Sequence, residues 1–323
     1  MSLAPYVRIL ARGQGRARGF TQDEAAEAMA LMLAPDAARE AVGAILMLLR
    51  MKGETAAEIA GFSSAARASL PCWTGPRPML DWPSYAAGRT RGLPWFLLSA
   101  RLVADAGTSV LLHGWNTHQG SGADLRAALP VAGVRSASTI QDAGALLARD
   151  RIVYLPLETL SPPLWKLLCL RDTLGLRSCV NTVCRMLNPG GASSAVQGVF
   201  HPPYRELQAD AGELLGLERL TVLKGGGGEF EHHPAKDIET FGLRDGQRWT
   251  GLTGKNVAER RRLSEGPPDP SLLAQIWRGD RHDPFAEAIV VSTAALALDT
   301  AGVADPAQTA RDLWAARARD SAA

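Results

Sequence analysis

Arg8, Arg12, Arg16 and Arg18 all precede the first acidic residue of the chain, in the glycine-rich string RILARGQGRARGF. Guanidinium groups without counter-charges suit a phosphate backbone, where each neutralised phosphate releases counterions. Arg8 and Arg12 lie four apart and share a face if the segment is helical. The same string also reads as a solvated terminus. A second concentration follows: Trp82, Tyr85, Arg89, Arg91 and Trp95 fall within fourteen residues. Arg89 and Arg91 stand just before Phe96-Leu97-Leu98, which reads as a buried helix. Free N–H groups at a helix start attract anions, and arginine forks add to the attraction. Trp82 and Tyr85 suit stacking on bases or plain packing; Trp95 reads as core.

Other candidates are weaker. His113-Gly114 follows a short apolar run, where α/β folds place ligand crevices, with Ser121 and Asp124 close behind. Lys224 runs into four glycines, Gly225 to Gly228, either an anion nest or a loose loop; no Gly-Lys-Ser/Thr follows, so it is not a P-loop. Arg260-Arg261-Arg262 after Lys255 reads as a solvated basic run or a phosphate contact. His232-His233 has no partner ligands at metal spacing and reads as a surface pair. Cys72, Cys169, Cys179 and Cys184 show no CxxC spacing and read as reduced thiols, not a zinc site.

These residues need a scaffold. The first seventy residues read as three helices. Thr21 with Glu24 and Thr55 with Glu58 are capping boxes; Arg50 and Lys52 suit a helix C-terminus, and Gly53 a stop. Pro71 to Pro83 reads as a linker. Beyond it, apolar runs at 109–112, 152–155, 195–200 and 220–223 alternate with helical stretches, which predicts a mostly parallel α/β sheet. Two helices split near Gly302 to Pro306 close the chain. The 323 residues are 46% hydrophobic with a net charge of +2, so a full core forms without staples and bulk charge does not announce a nucleic-acid binder. The absence of a leader-like or spanning apolar run predicts a cytoplasmic protein with no membrane partner.

Several strings, in order, resemble the anthranilate phosphoribosyltransferase-like family of the glycosyltransferase family 3 fold. AILMLLRMKGETAAEIA at 44–60 resembles the family's second and third helices. His113-Gly114 with Gly120-Ser121-Gly122-Ala123-Asp124 resembles its His-Gly and Ser-Gly-Ser-Ala-Asp strings. RDTLGLR from Arg171 to Arg177, with Asn181 and Asn188-Pro189, and Gly198-Val199-Phe200-His201-Pro202 continue the match. The resemblance implies a small N-terminal helical domain, residues 1–72, joined in space by about 161–188, and a large α/β domain over 73–323. It implies a homodimer through the helical domain, and a cleft of His113, Gly114, Ser121, Asp124, Arg171 and Glu229, with Arg171 meeting the acceptor's carboxylate.

The departures are specific. Where the family carries Gly-Thr-Gly-Gly-Asp around pyrophosphate, this chain has Ser84, Tyr85, Ala86, Ala87 and Gly88. The loop after Gly114 is shorter. The family's magnesium pair falls at Gly228 and Glu229, leaving Glu229 as a weak metal ligand. A divergent branch shares the basic N-terminal string and Trp-Pro-Ser-Tyr, and its members are described as nucleic-acid binders. Two expectations follow. In the first, Arg8, Arg12, Arg16, Arg18, Arg89 and Arg91 bind DNA or RNA without sequence preference. In the second, the chain is an active phosphoribosyltransferase using phosphoribosyl pyrophosphate and Mg2+.

Overall fold

A computed structural model describes the chain except residues 1, 14, 86–91, 117–123, 260, 264, 266–268 and 318–323. It opens with four helices, α1 (Ala4–Ala11), α2 (Gln22–Met32), α3 (Arg39–Lys52) and α4 (Ala56–Ala68), one more than the sequence pattern marks out. The extra one, α1, is only eight residues with a proline in its first turn, so it lacks a long apolar period. Both capping boxes form. Thr21 accepts the Glu24 N–H at 3.2 Å while Glu24 accepts the Thr21 N–H at 2.9 Å. Thr55 and Glu58 do the same at 3.2 and 2.8 Å. Glu58 is buried, and its other oxygen takes the Phe20 N–H at 2.8 Å, tying the basic N-terminal segment to α4.

The rest alternates: β1 (Leu80–Ser84), α5 (Phe96–Asp105), β2 (Val110–Gly114), α6 (Leu125–Val131), α7 (Ile140–Asp150), β3 (Ile152–Pro156), α8 (Leu157–Leu160), α9 (Pro162–Leu174), α10 (Val180–Arg185), β4 (Ser194–Val199), α11 (Tyr204–Leu214) and β5 (Arg219–Lys224). A hairpin of β6 (Ile238–Arg244) and β7 (Gln247–Thr253) follows, then α12 (Ser271–Arg278), α13 (Pro284–Thr300) and α14 (Pro306–Ala316). The sheet order is β3-β2-β1-β4-β5-β6-β7. The first five strands in that order are parallel, and β6 and β7 run antiparallel. The hairpin turns on Asp245-Gly246, both at positive φ, the pair that matches strand twist.

β1 corrects the linker reading of Pro71 to Pro83. Pro83 hid it, because proline is rarely tolerated inside a sheet. It is tolerated here because β1 pairs with β4 only through Leu80 and Asp81, so Pro83 lies beyond that ladder. The chain passes from β1 outward to β3 and then returns to β4 on the other side of β1. That reversal is the switch point at which such sheets open a crevice beyond their carboxyl ends.

Side chains alternate across the sheet and feed two apolar clusters. Leu111, Val153, Ala195 and Val222 face one that also holds Met29, Ile45, Leu49 and Phe62 of the N-terminal helices and Leu164, Val180 and Val183 of α9 and α10. Leu112, Tyr154, Val196 and Leu223 face the other, against α5, α12, α13 and α14. No described helix is long and apolar enough to cross a membrane.

Candidate anion-binding cleft

Two adjoining cavities open at the carboxyl ends of β1 and β4. The smaller, of about 20 Å³, lies between Tyr85, Trp115, Asn116 and Arg171 and has room for one water. The larger, of about 240 Å³, is lined by Arg50, Arg171, Arg177, Arg185 and residues including Phe200 and Tyr204. No carboxylate is among its described lining residues. Each arginine arrives from a different place. Arg50 closes α3, and Arg171 lies in the last turn of α9. Gly175, in the left-handed conformation, then turns the chain so that Arg177 returns to the same space. Arg185 ends α10 and is 2% exposed.

The electrostatics follow from that convergence. Burial first, then the charges of Arg171, Arg185 and Arg50, pull Arg177 down to about 10. Burial also lowers Arg185, offset in part by the nearby charge of Glu229. Arg185 Nη1 donates to the Gly228 carbonyl at 3.1 Å, and its Nη2 is buried with no hydrogen-bond partner. Guanidinium groups gathered without lining counter-ions form a site for anions. One carboxylate stands near the rim: Glu54 accepts the Tyr204 hydroxyl at 3.0 Å, and with burial it pushes that phenol up to about 12.

The expected cleft residues divide. Arg171 lines both cavities. His113 lines neither; it is wholly buried, on the strand face it shares with Leu111. The Tyr85 hydroxyl meets its Nδ1 at 2.8 Å, and its Nε2 stands 3.3 Å from Asp81 without the alignment of a hydrogen bond. Tyr85 is thereby corrected from stacking candidate to core, as is Trp82, packed edge-on against Phe230 at 5.4 Å. Gly114 is demanded by closeness: a Cβ there would stand 1.8 Å from the Ser84 carbonyl oxygen. Asp124 caps α6, accepting the Arg126 N–H at 2.9 Å. Glu229 is buried. Glu231, which the sequence did not single out, is also buried and accepts the Phe96 N–H at 3.0 Å.

Among the proposed phosphate contacts, Arg8, Arg12 and Arg16 are exposed. Arg18 is committed, both terminal nitrogens donating to Glu24 at 2.6 Å. Arg89, Arg91 and Ser121 lie outside the described residues. Arg261 is held by Asp283 at 2.8 Å. The reading of His232 as a surface residue is corrected: it is buried between Ser292 and Thr253 at 2.9 and 2.7 Å. Sequence reading missed Arg50, Arg177 and Arg185 as site residues. The available signal was Arg185 itself, an arginine inside the otherwise apolar run VCRML.

Residues 4–70 match the family model described as "Glycosyl transferase family, helical bundle domain". The anthranilate phosphoribosyltransferase of Haloferax volcanii is 28% identical over 319 residues, 94% of this chain and 95% of that relative. That of Rhodopseudomonas palustris is 30% identical over 230 residues, 71% of this chain and 67% of the relative. The chain belongs to the anthranilate phosphoribosyltransferase family. Solved structures of that family share its fold. The Thermus thermophilus enzyme superposes with a TM-score of 0.80 at 23% identity, covering 98% of this chain and 95% of its own. The Saccharomyces cerevisiae enzyme, in complex with PRPP and Mg, gives 0.78 at 14% identity over 99% and 94%.

Proposed function

We propose that this member of the family is a polyanion-binding protein that holds nucleic acid without sequence preference. The observation that carries the reading is the convergence of Arg50, Arg171, Arg177 and Arg185 on an open crevice whose described lining has no carboxylate. A basic groove with a nearby ring is the usual means of holding a single strand. Phe200, 42% exposed at the rim, offers such a ring. Arg8, Arg12 and Arg16, exposed on the N-terminal segment and outside the cleft lining, would add a second basic surface. Backbone contacts of this kind position a strand but carry no base information.

The transferase reading keeps one support: relatives of this chain are phosphoribosyltransferases, and one was solved with PRPP and Mg. The residues here do not fit a magnesium ion. Glu229 already lies in the field of Arg185, and Glu231 holds the N–H at the start of α5. No group of three potential ligands forms among the described residues, whereas magnesium takes carboxylates together with substrate phosphates.

The test is fluorescence anisotropy of a labelled single-stranded oligonucleotide across a salt series. Binding that weakens steeply with salt is expected, the slope falling by roughly one for each phosphate-contacting arginine removed. Arg171→Gln with Arg177→Gln should weaken it more than Arg12→Glu with Arg16→Glu. Absence of binding at low salt, with turnover of phosphoribosyl pyrophosphate in magnesium, would reverse the assignment.

A further inference from the structure

Another cavity lies at the β3 edge of the sheet. It measures about 630 Å³, within the range of ligand pockets, and shares no described lining residue with the arginine crevice. Its walls include Arg126 and Pro130 of α6, Val134, Arg135 and Ser136 of the segment that follows, and Pro156 at the end of β3.

β3 ends the sheet, and residues 135–137 add one further rung to it. Tyr154 donates its N–H to the Arg135 carbonyl at 2.9 Å, and its carbonyl accepts the Ala137 N–H at 2.8 Å. That parallel bridge turns the N–H and C=O of Ser136 away from the sheet. Neither group has a partner among the described residues. Two residues to either side, the N–H is already taken: Val134 donates to the Leu129 carbonyl at 2.9 Å, and Ser138 to Asp142 at 2.8 Å. Exposed sheet edges are normally blunted. Here the blunting leaves a slot one residue long, on the wall of the cavity.

The charge beside the slot is open as well. The Arg135 side chain is 60% exposed. Asp150 stands 3.5 Å from it but takes two bonds from Arg149, at 2.8 and 3.1 Å, and none from Arg135. Arg126 gives one terminal nitrogen to Glu158. No carboxylate is among the described residues that line the cavity. A guanidinium fork matches a carboxylate. A phosphate backbone would bring no donor to the Ser136 carbonyl, whereas a peptide brings an N–H. A continuous strand would need more open rungs than Val134 and Ser138 leave. One backbone pair with a free arginine fork suits the last residue of a chain.

We propose that this cavity captures the free C-terminus of a partner protein. Ser136 pairs with the backbone of the terminal residue, Arg135 and Arg126 face its carboxylate, and Pro130 and Pro156 flank an apolar terminal side chain. The site is separate from the crevice and does not depend on the polyanion reading.

The experiment uses an N-terminally labelled hexapeptide ending in valine, as the free acid and as the C-terminal amide, read by anisotropy on the full chain. The free acid should bind about tenfold more tightly, the worth of one charge-assisted contact. N-acetylvaline should displace it and N-acetylvalinamide should not. Arg135→Gln, at an exposed position, should keep the thermal midpoint and remove the preference for the acid. N-methylation of the last peptide bond, which deletes the donor to the Ser136 carbonyl, should weaken the acid on the unaltered protein. Equal binding of acid and amide, or binding of neither, overturns the proposal. So does a preference that survives in Arg135→Gln, or an N-methylated peptide that binds as well as its parent. Displacement by a single-stranded oligonucleotide, with binding lost in Arg171→Gln/Arg177→Gln, would put the peptide in the crevice and overturn it too.

Discussion

The two capping boxes share one motif but differ in burial, and that difference sets unequal costs for the same substitution. Glu58 is 1% exposed. One of its oxygens takes the Thr55 N–H and the other the Phe20 N–H, both at 2.8 Å. Glu58→Gln leaves one oxygen acceptor and turns an amide NH2 toward an N–H donor. The loss is one charge-assisted bond, about 1.5–3 kcal/mol, plus an orphaned N–H. We expect about 3 kcal/mol lower stability. Glu24 holds its own box and Arg18, but that pair is partly exposed, 24% on Glu24 and 54% on Arg18. Solvent screens such pairs, so Glu24→Gln should cost about 0.5–1 kcal/mol. Urea denaturation with unchanged m-values reads both numbers. Because Glu58 takes the Phe20 N–H beside the Phe20–Phe62 ring contact, its variant should also loosen the arginine-bearing segment toward protease before global unfolding. Equal losses for the two variants, or a Glu58→Gln cost below about 1 kcal/mol, would refute the argument that burial sets the value of the box.

Further outcomes follow from other contacts. His232 is held down to about 4 by burial, so its contribution is fully present above its ordinary 6.5 and is lost as pH falls from 6.5 toward 4. A wild-type thermal midpoint that drops across that window, and a His232→Gln variant that drops less, would agree; the difference is about 3 kcal/mol at most. Gly198→Ala places a Cβ 2.0 Å from the Glu229 backbone. It should cost roughly 3 kcal/mol or more, or leave no soluble protein, as read by expression and calorimetry. Arg177→Gln relieves repulsion from three arginines. It should raise the thermal midpoint, by an amount worth about 0.5–1 kcal/mol, while weakening anion binding, the opposite movements that mark a binding site.

The helices were legible where local chemistry decides them: Thr21, Thr55 and Gly53 mark ends by their own hydrogen bonds and φ. Four parallel strands were legible as apolar runs. β1 was not, because Pro83 argues against a strand and only the early end of the β1–β4 ladder makes it harmless. The β6–β7 hairpin was hidden by partly exposed, polar-rich strands. At the site, Arg171 was legible through family likeness. Arg50 looked fully explained as a helix-end charge, and Arg177 returns to Arg171 only because Gly175 reverses the chain. His113 was placed one layer too far forward: it shares its strand face with Leu111, but Tyr85, whose hydroxyl meets its Nδ1, lines the smaller cavity in its place.

The apolar cluster that runs without a break from the N-terminal helices through α9 and α10 to one face of the sheet has a mechanical consequence. Swinging the helices away from the sheet would wet Leu111, Val153 and their neighbours, so the arginine crevice cannot widen cheaply as a jaw. Its aperture is fixed when the chain condenses, and ligands must fit a stiff frame by moving arginine side chains alone. The helices and the sheet should accordingly melt as one thermodynamic body, although by sequence they look like separable parts.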